Sequence, residues 1–141
     1  MVDQAARQKA IDPRCSYIVQ APAGSGKTEL LIQRYLGLLA QVNNPEEILA
    51  ITFTRKATEE MRTRISDALH EASGEATEKL QDHQILTRKL AQAVLAQDQK
   101  MGWQLLDFPR RLRISTIDAF CANLVRQMPF LSRMGSFPEL L

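Results

Sequence analysis

The order of residues 16–42 constrains this chain more than any other feature in it. Ser16-Tyr17-Ile18-Val19-Gln20 is a short β-prone run that leads directly into Ala21-Pro22-Ala23-Gly24-Ser25-Gly26-Lys27-Thr28, a cluster of turn formers. From Thr28 to about Val42, apolar residues at 30, 31, 32, 35, 36, 38 and 39 nearly encircle a helix, which must therefore be largely buried. Asn43-Asn44-Pro45 stops it, because proline cannot continue the hydrogen-bond ladder. Strand, glycine-rich loop and buried helix in this order suit a phosphate group: glycines let backbone N–H groups turn inward, and the helix N-terminus adds positive potential. Gly24 and Gly26 would supply the tight turn, Lys27 would reach the β- and γ-phosphates of a nucleotide, and the Thr28 hydroxyl would take one position on Mg²⁺. Ala21 stands where the strict pattern G-x-x-x-x-G-K-[ST] has its first glycine.

The remaining pattern is also α/β. Glu47 to Phe53 contains Ile48-Leu49-Ala50-Ile51, an apolar run of the kind expected of a strand covered on both faces. Ala57, Met61, Ile65, Ala68, Leu69 and Ala72 predict a helix over 55–73, supported by a Glu60 to Arg64 charge pair and ended by Gly74. A second amphipathic helix is expected over 82–100 with Leu86, Leu90, Ala93 and Val94 on one face. Its function is not readable from the residues. Leu112-Arg113-Ile114-Ser115 is a third strand candidate, and Ile117, Phe120, Cys121, Leu124, Val125 and Met128 form a helical stripe ending at Pro129.

A phosphate loop alone does not choose among kinase, GTPase, transporter ATPase and helicase. With 141 residues, 45% hydrophobic and 24% charged, the chain can build one globular core. The net charge is only +2, from 18 basic and 16 acidic residues, so any nucleic-acid role must come from local arrangement. The start lacks a signal-peptide pattern and no stretch has the roughly 20 apolar residues of a membrane span, so a cytoplasmic protein without membrane contact is expected. Cys15 and Cys121, read as small reduced core residues, and His70 and His83, read as helix-surface residues, make a poor ligand set for zinc. Trp103 is read as a packing residue.

The carboxyl end of the second strand decides more. Thr52-Phe53-Thr54-Arg55-Lys56 gathers hydroxyls, an aromatic ring and two cations where ligands bind in open α/β sheets. Bases of a single strand can stack on such a ring while the donors hold phosphates. The alternative places Phe53 in the core and Arg55 and Lys56 in solvent at a helix start.

Taken together the motifs resemble the UvrD/Rep-type superfamily 1 helicases. Residues 21–28 look like their motif I, Ile51-Thr52-Phe53-Thr54-Arg55-Lys56-Ala57-Thr58-Glu59-Glu60-Met61-Arg62 like motif Ia, and Ser115-Thr116-Ile117-Asp118-Ala119-Phe120-Cys121 like motif Ib. Order and approximate spacing agree over about 16–126. The long helical stretch between Ia and Ib and the Thr-Ile-x-x-Phe-Cys form of Ib resemble the branch that holds AddA and the exonuclease V beta-subunit.

The resemblance implies a P-loop NTPase (RecA-like) partial domain, α/β with a parallel sheet flanked by helices. Residues 1–128 would form the N-terminal part of the ATP-binding domain, with a helical insertion at about 75–110, and 129–141 would start the following subdomain. It implies an ATP-driven motor moving 3′ to 5′ on single-stranded DNA. ATP and Mg²⁺ would be held by Ala21, Pro22, Ala23, Gly24, Ser25, Gly26, Lys27 and Thr28; Phe53 would stack on a base, and Thr52, Thr54, Arg55, Lys56 and Thr116 would line the DNA track. Arg55 stands where the family often has Asn, and Asp118 where it often has His. For Asp118 a structural reading exists: Ser115 at an N-cap with an acid three residues on approximates a capping box. Gln4 and Gln8 are near the place of the family's adenine-reading glutamine but not at its spacing.

The acidic Walker B pair and the arginines that hydrolysis needs have no counterpart in these 141 residues. The expectation is therefore the N-terminal portion of a larger helicase or helicase-nuclease, binding nucleotide without turning it over, with the rest of the helicase, nuclease subunits and a second copy of the fragment as partners. The competing classes are a P-loop nucleotide or small-molecule kinase and a non-catalytic nucleotide-binding interaction module.

Overall fold

The structure is a computed structural model, which describes residues 2–18, 27–75 and 79–127. Helix α1 (Val2–Ile11) is followed by α2 (Lys27–Leu39), strand β1 (Leu49–Thr52), α3 (Arg55–Ser73), α4 (Asp82–Met101), β2 (Arg113–Thr116) and α5 (Ile117–Gln127), with short 3₁₀ turns at Pro45–Glu47 and Pro109–Arg111. The two strands pair in parallel with Leu49 opposite Arg113 and Thr52 opposite Thr116. Parallel neighbours need a long crossover, and α3 and α4 provide it.

The core lies between the sheet and the layer of α2, α3 and α4. Ile32, Leu36 and Leu39 of α2, Ile65 and Leu69 of α3, and Ala91 and Val94 of α4 meet Trp103, Leu105, Leu112 and Ile114 there. Helix α3 spans the residues its periodicity predicts, and α4 starts at the expected position. Gly102 ends α4 at φ +72°, a left-handed cap whose N–H returns to the Asp98 carbonyl at 2.7 Å. Gly74 caps α3 differently, with an extended backbone. Side chains then bind the ends together. Arg88 of α4 donates to the Glu71 and Gly74 carbonyls at the end of α3. Trp103, a packing residue as expected, is 3% exposed and donates its indole N–H to the Asn43 carbonyl at 2.7 Å. Arg111 pairs with Glu46 at 2.8 Å, which holds the Glu46 carboxyl below its ordinary range.

Several expectations are corrected. Ser16–Ile18 carry no regular structure, and residues 19–20, the rest of the expected first strand, lie outside the described residues. Helix α2 ends at Leu39 rather than Val42, because Gln41 and Val42 donate three residues back and tighten the last turn. Glu60 and Arg64 do not pair; the ion pair on α3 is Arg62 with Glu59 at 3.1 Å. In α4 Ala91 is buried and Ala93 exposed, so the inward face is rotated from the one expected. Cys15 and Cys121 are both exposed, not core residues. His70 and His83 are exposed, as expected. Strand β1 is covered unevenly rather than on both faces, with Ile51 48% exposed. Among the described residues no helix is long and apolar enough to cross a membrane.

Helix α1 has no strong apolar period and does not stand out in the sequence. It packs on α2 through an arginine: the Arg34 guanidinium donates to the carbonyls of Ala10 at 2.6 Å, Asp12 at 3.1 Å and Cys15 at 2.8 Å, and lies 5.7 Å from the Tyr17 ring. A cation at the end of α1 satisfies carbonyls that a helix C-terminus leaves open.

Candidate functional site

The register decides what the carboxyl ends of the strands bring together. Because Thr52 stands opposite Thr116, the chain leaves both strands at the same end of the sheet and runs into a helix N-terminus each time, through Phe53 and Thr54 after β1 and directly after β2. Thr54 caps α3 by accepting from the Ala57 N–H at 3.1 Å, and Thr116 accepts from the Ala119 N–H at 3.2 Å at the start of α5. The N-cap of α5 is thus Thr116, one residue after the expected Ser115. Asp118 falls in the first turn, where an acid complements the helix dipole.

The side chains here divide by what they have left to offer. Phe53 is 90% exposed, so the core reading of this ring is excluded. Arg55 and Lys56 are exposed on the first turn of α3. The Thr54 and Thr116 hydroxyls use an oxygen lone pair for capping, which leaves each O–H free to donate outward. The Thr52 hydroxyl instead lies 2.5 Å from that of buried Thr58 and within 3.2 Å of the Thr54 carbonyl. Thr58 also donates to the Thr54 carbonyl at 3.2 Å. Thr52 and Thr58 therefore hold the turn in shape from beneath. Sequence reasoning misses Thr58 in this role, because a threonine six residues after another carries no signal. Behind the turn, Arg62 donates to the Ile114 carbonyl at 2.9 Å and ties α3 to β2. On the far side of the sheet Arg113 lies 5.9 Å from the Phe120 ring.

Of the phosphate-loop residues, 21–26 lie outside the described residues. Lys27 and Thr28 open α2, both exposed, on a first turn whose N–H groups lack intrahelical partners. An ammonium, a hydroxyl and open N–H groups at a helix start are a donor set that suits a phosphorylated ligand and its magnesium ion.

The sequence pattern of the UvrD/REP helicase N-terminal domain matches residues 2–136. The chain belongs to this helicase family. Among its relatives are ATP-dependent helicase/nuclease subunits of the AddA type. That of Desulfitobacterium hafniense is 36% identical over 129 residues, those of Lactobacillus acidophilus 36% over 122 and Clostridium perfringens 34% over 124. The matches cover 89%, 86% and 85% of this chain but 8% of each relative, so the helicase domain described here spans a small part of the relatives' length. No solved structure matches it. The likeness to UvrD/Rep-type helicases and to the AddA branch, read from three motifs, thus extends over nearly the whole chain.

Proposed function

We propose that residues 1–128 are the N-terminal part of a RecA-like P-loop motor domain, with 75–110 as a helical insertion and 129–141 leading into a following subdomain, in an ATP-dependent 3′ to 5′ DNA helicase or helicase-nuclease. The observation that carries the DNA half is the pairing of Thr52 with Thr116. It gathers an exposed aromatic ring, two cations, two free hydroxyl donors and two helix N-termini at one end of the sheet. None of these reads base identity, which suits a protein that must hold any sequence as it moves.

In this reading Phe53 stacks on a base, Thr54, Arg55, Lys56 and Thr116 hold the sugar-phosphate backbone, and Thr52 shapes the turn between them. Residues 21–28 hold the nucleotide, with Lys27 on its terminal phosphates and Thr28 on its magnesium ion. Bound MgATP supplies the phosphoanhydride whose hydrolysis drives movement. Lys27 and Thr28 contribute binding and orientation, whereas an acid that activates water and the arginines that neutralise developing charge must come from other residues of the working enzyme. The DNA, the rest of the helicase and nuclease subunits are the partners of this site, and the cytoplasm is its compartment.

Two titrations test the reading. Fluorescence anisotropy with an oligo-dT strand should give weak, sequence-independent binding with a log–log salt slope of about −0.7 per phosphate contacted. Phe53→Ala should weaken it by about 1–3 kcal/mol, and an unchanged affinity removes the stacking role. Calorimetry with MgADP should show binding that Lys27→Ala reduces; equal affinities remove Lys27 from the nucleotide site.

A further inference from the structure

Helix α4 lies in the stretch whose role the residues do not disclose, and it packs along both α2 and α3. Its interface with α2 is apolar where Leu36, Leu39, Ala91 and Val94 share the core, but toward the start of α2 it carries a polar bridge. The Thr87 hydroxyl of α4 donates to Glu29 Oε1 at 2.6 Å. The Gln33 amide, 4% exposed, donates to Thr87 Oγ at 3.1 Å and to the His83 carbonyl at 3.2 Å. Thr87 has one proton and two acceptors in reach, since the His83 carbonyl of its own helix lies at 2.9 Å. A carboxylate at the shorter distance makes the stronger, charge-assisted bond, so the proton belongs to Glu29 and the oxygen lone pair to Gln33.

The position of this bridge gives it a consequence for Lys27 and Thr28. Glu29 and Gln33 are four residues apart and share one face of α2, turned to α4. Thr28 and Lys27, one and two residues earlier, are rotated about 100° and 200° from Glu29 around the helix. A rotation of the first turn that re-aims Lys27 or Thr28 carries Glu29 away from Thr87, which Gln33, one turn further on, holds in place. The bridge also directs the Glu29 carboxylate toward α4, and a carboxylate free to swing toward a bound phosphate would repel it.

We infer that Thr87 is a positioning residue that fixes the rotation of the first turn of α2 and thereby the aim of Lys27 and Thr28 at the nucleotide. This rests on the nucleotide reading given above. The segment between the second and third motifs then serves the phosphate loop directly, through a contact 58 residues away in sequence.

The test uses the full chain with Thr87→Val, which keeps the shape and removes the hydroxyl, Thr87→Ser, which restores it, and Lys27→Ala. Two quantities are measured where circular dichroism shows every variant folded: amide hydrogen exchange along α2, and MgADP affinity by calorimetry. Thr87→Val should exchange faster in the first two turns of α2 than wild type, with the far end of α3 unchanged. It should also bind MgADP roughly three- to tenfold more weakly, a fraction of what a charged hydrogen bond can contribute. Thr87→Ser should recover both. Unchanged exchange in α2, exchange accelerated evenly through α2, α3 and α4, or wild-type MgADP affinity in Thr87→Val each overturns the inference while leaving the nucleotide reading in place. A wild-type protein that binds MgADP no better than Lys27→Ala overturns the nucleotide reading and, with it, the aim assigned to Thr87.

Discussion

Helices α3 and α5 begin alike and end in different surroundings. Each follows a parallel strand, each is capped by a threonine that accepts from the N–H three residues on, and each carries an apolar stripe of helical period. Yet α3 buries Thr58, Ile65, Leu69 and Ala72, and α5 buries none of its residues. The two helices serve opposite faces of the sheet. On one face Ala50 and Ile114 pack into the core with α2, α3 and α4; on the other Ile51 is 48% exposed, and in α5 Ile117 is 45% and Leu124 38% exposed. A stripe thus states which side of a helix is apolar, while burial requires a second element to cover it.

The largest effect should come from the covered face. Leu36 is fully buried, and Leu36→Ala should lower unfolding stability by about 2–5 kcal/mol, the sum of lost transfer energy and the cavity left behind. A urea titration measures it. A cost under about 1 kcal/mol would mean that the core collapses around the gap and that the two faces are packed alike.

The second effect is a pH dependence from the same face. The Tyr35 hydroxyl is buried without a hydrogen-bond partner among the described residues, and burial pushes its pKa up to about 12, against the pull of the nearby Arg113 backbone and the Arg62 charge. The phenol therefore keeps its proton longer folded than unfolded. Its contribution is intact below about pH 10, where the unfolded phenol begins to ionise, and is lost as pH rises toward 12. Over that window stability should fall by about 2–3 kcal/mol more in the wild type than in Tyr35→Phe. At pH 7 the phenylalanine variant should be within about 1 kcal/mol of wild type. Parallel alkaline limbs for the two proteins would place the hydroxyl in contact with solvent.

What the sequence discloses, and what it does not, follows the same division. The bounds of α3, the start of α4 and the two strands near 49–52 and 113–116 are legible because apolar spacing is a local property. Helix α1 escapes because its mixture of alanine and polar residues lacks a strong period, and it is fixed by Arg34 from more than 20 residues away. The exposure of Cys121 and Ile51 escapes because it depends on what lies over them. At the candidate site, residue types point to Phe53 and Thr54 and the family resemblance to Thr116, but only strand register shows that they share one end of the sheet. That Thr52 spends its hydroxyl on Thr58 is equally a matter of geometry.

The helix caps sharpen the comparison. Thr54→Ala removes the acceptor of the Ala57 N–H and should cost about 1 kcal/mol of global stability, because α3 cannot fray without opening the core. Thr116→Ala removes an equivalent bond from α5 and should cost less than half as much globally, with the loss appearing instead as faster hydrogen exchange in the first turn of α5. Equal global costs would make α5 part of the same cooperative unit as α3.

The smallest effect should be at Leu124. Its counterpart in the stripe of α3, Leu69, is 1% exposed, whereas Leu124 is 38% exposed. Truncation at Leu124 removes methyl groups that are partly in water already, so little transfer energy is lost and water fills the space. Alanine is also the better helix former, which offsets part of the remainder. Leu124→Ala should therefore change stability by less than about 0.5 kcal/mol, against about 2–5 kcal/mol for Leu69→Ala. Both are read from urea midpoints at one protein concentration and again at a tenfold dilution. A cost at Leu124 that approaches that at Leu69 and falls away on dilution would show that a second copy covers α5, whereas the same cost at both concentrations would show that the chain itself covers this face and that the two sides of the sheet do not differ.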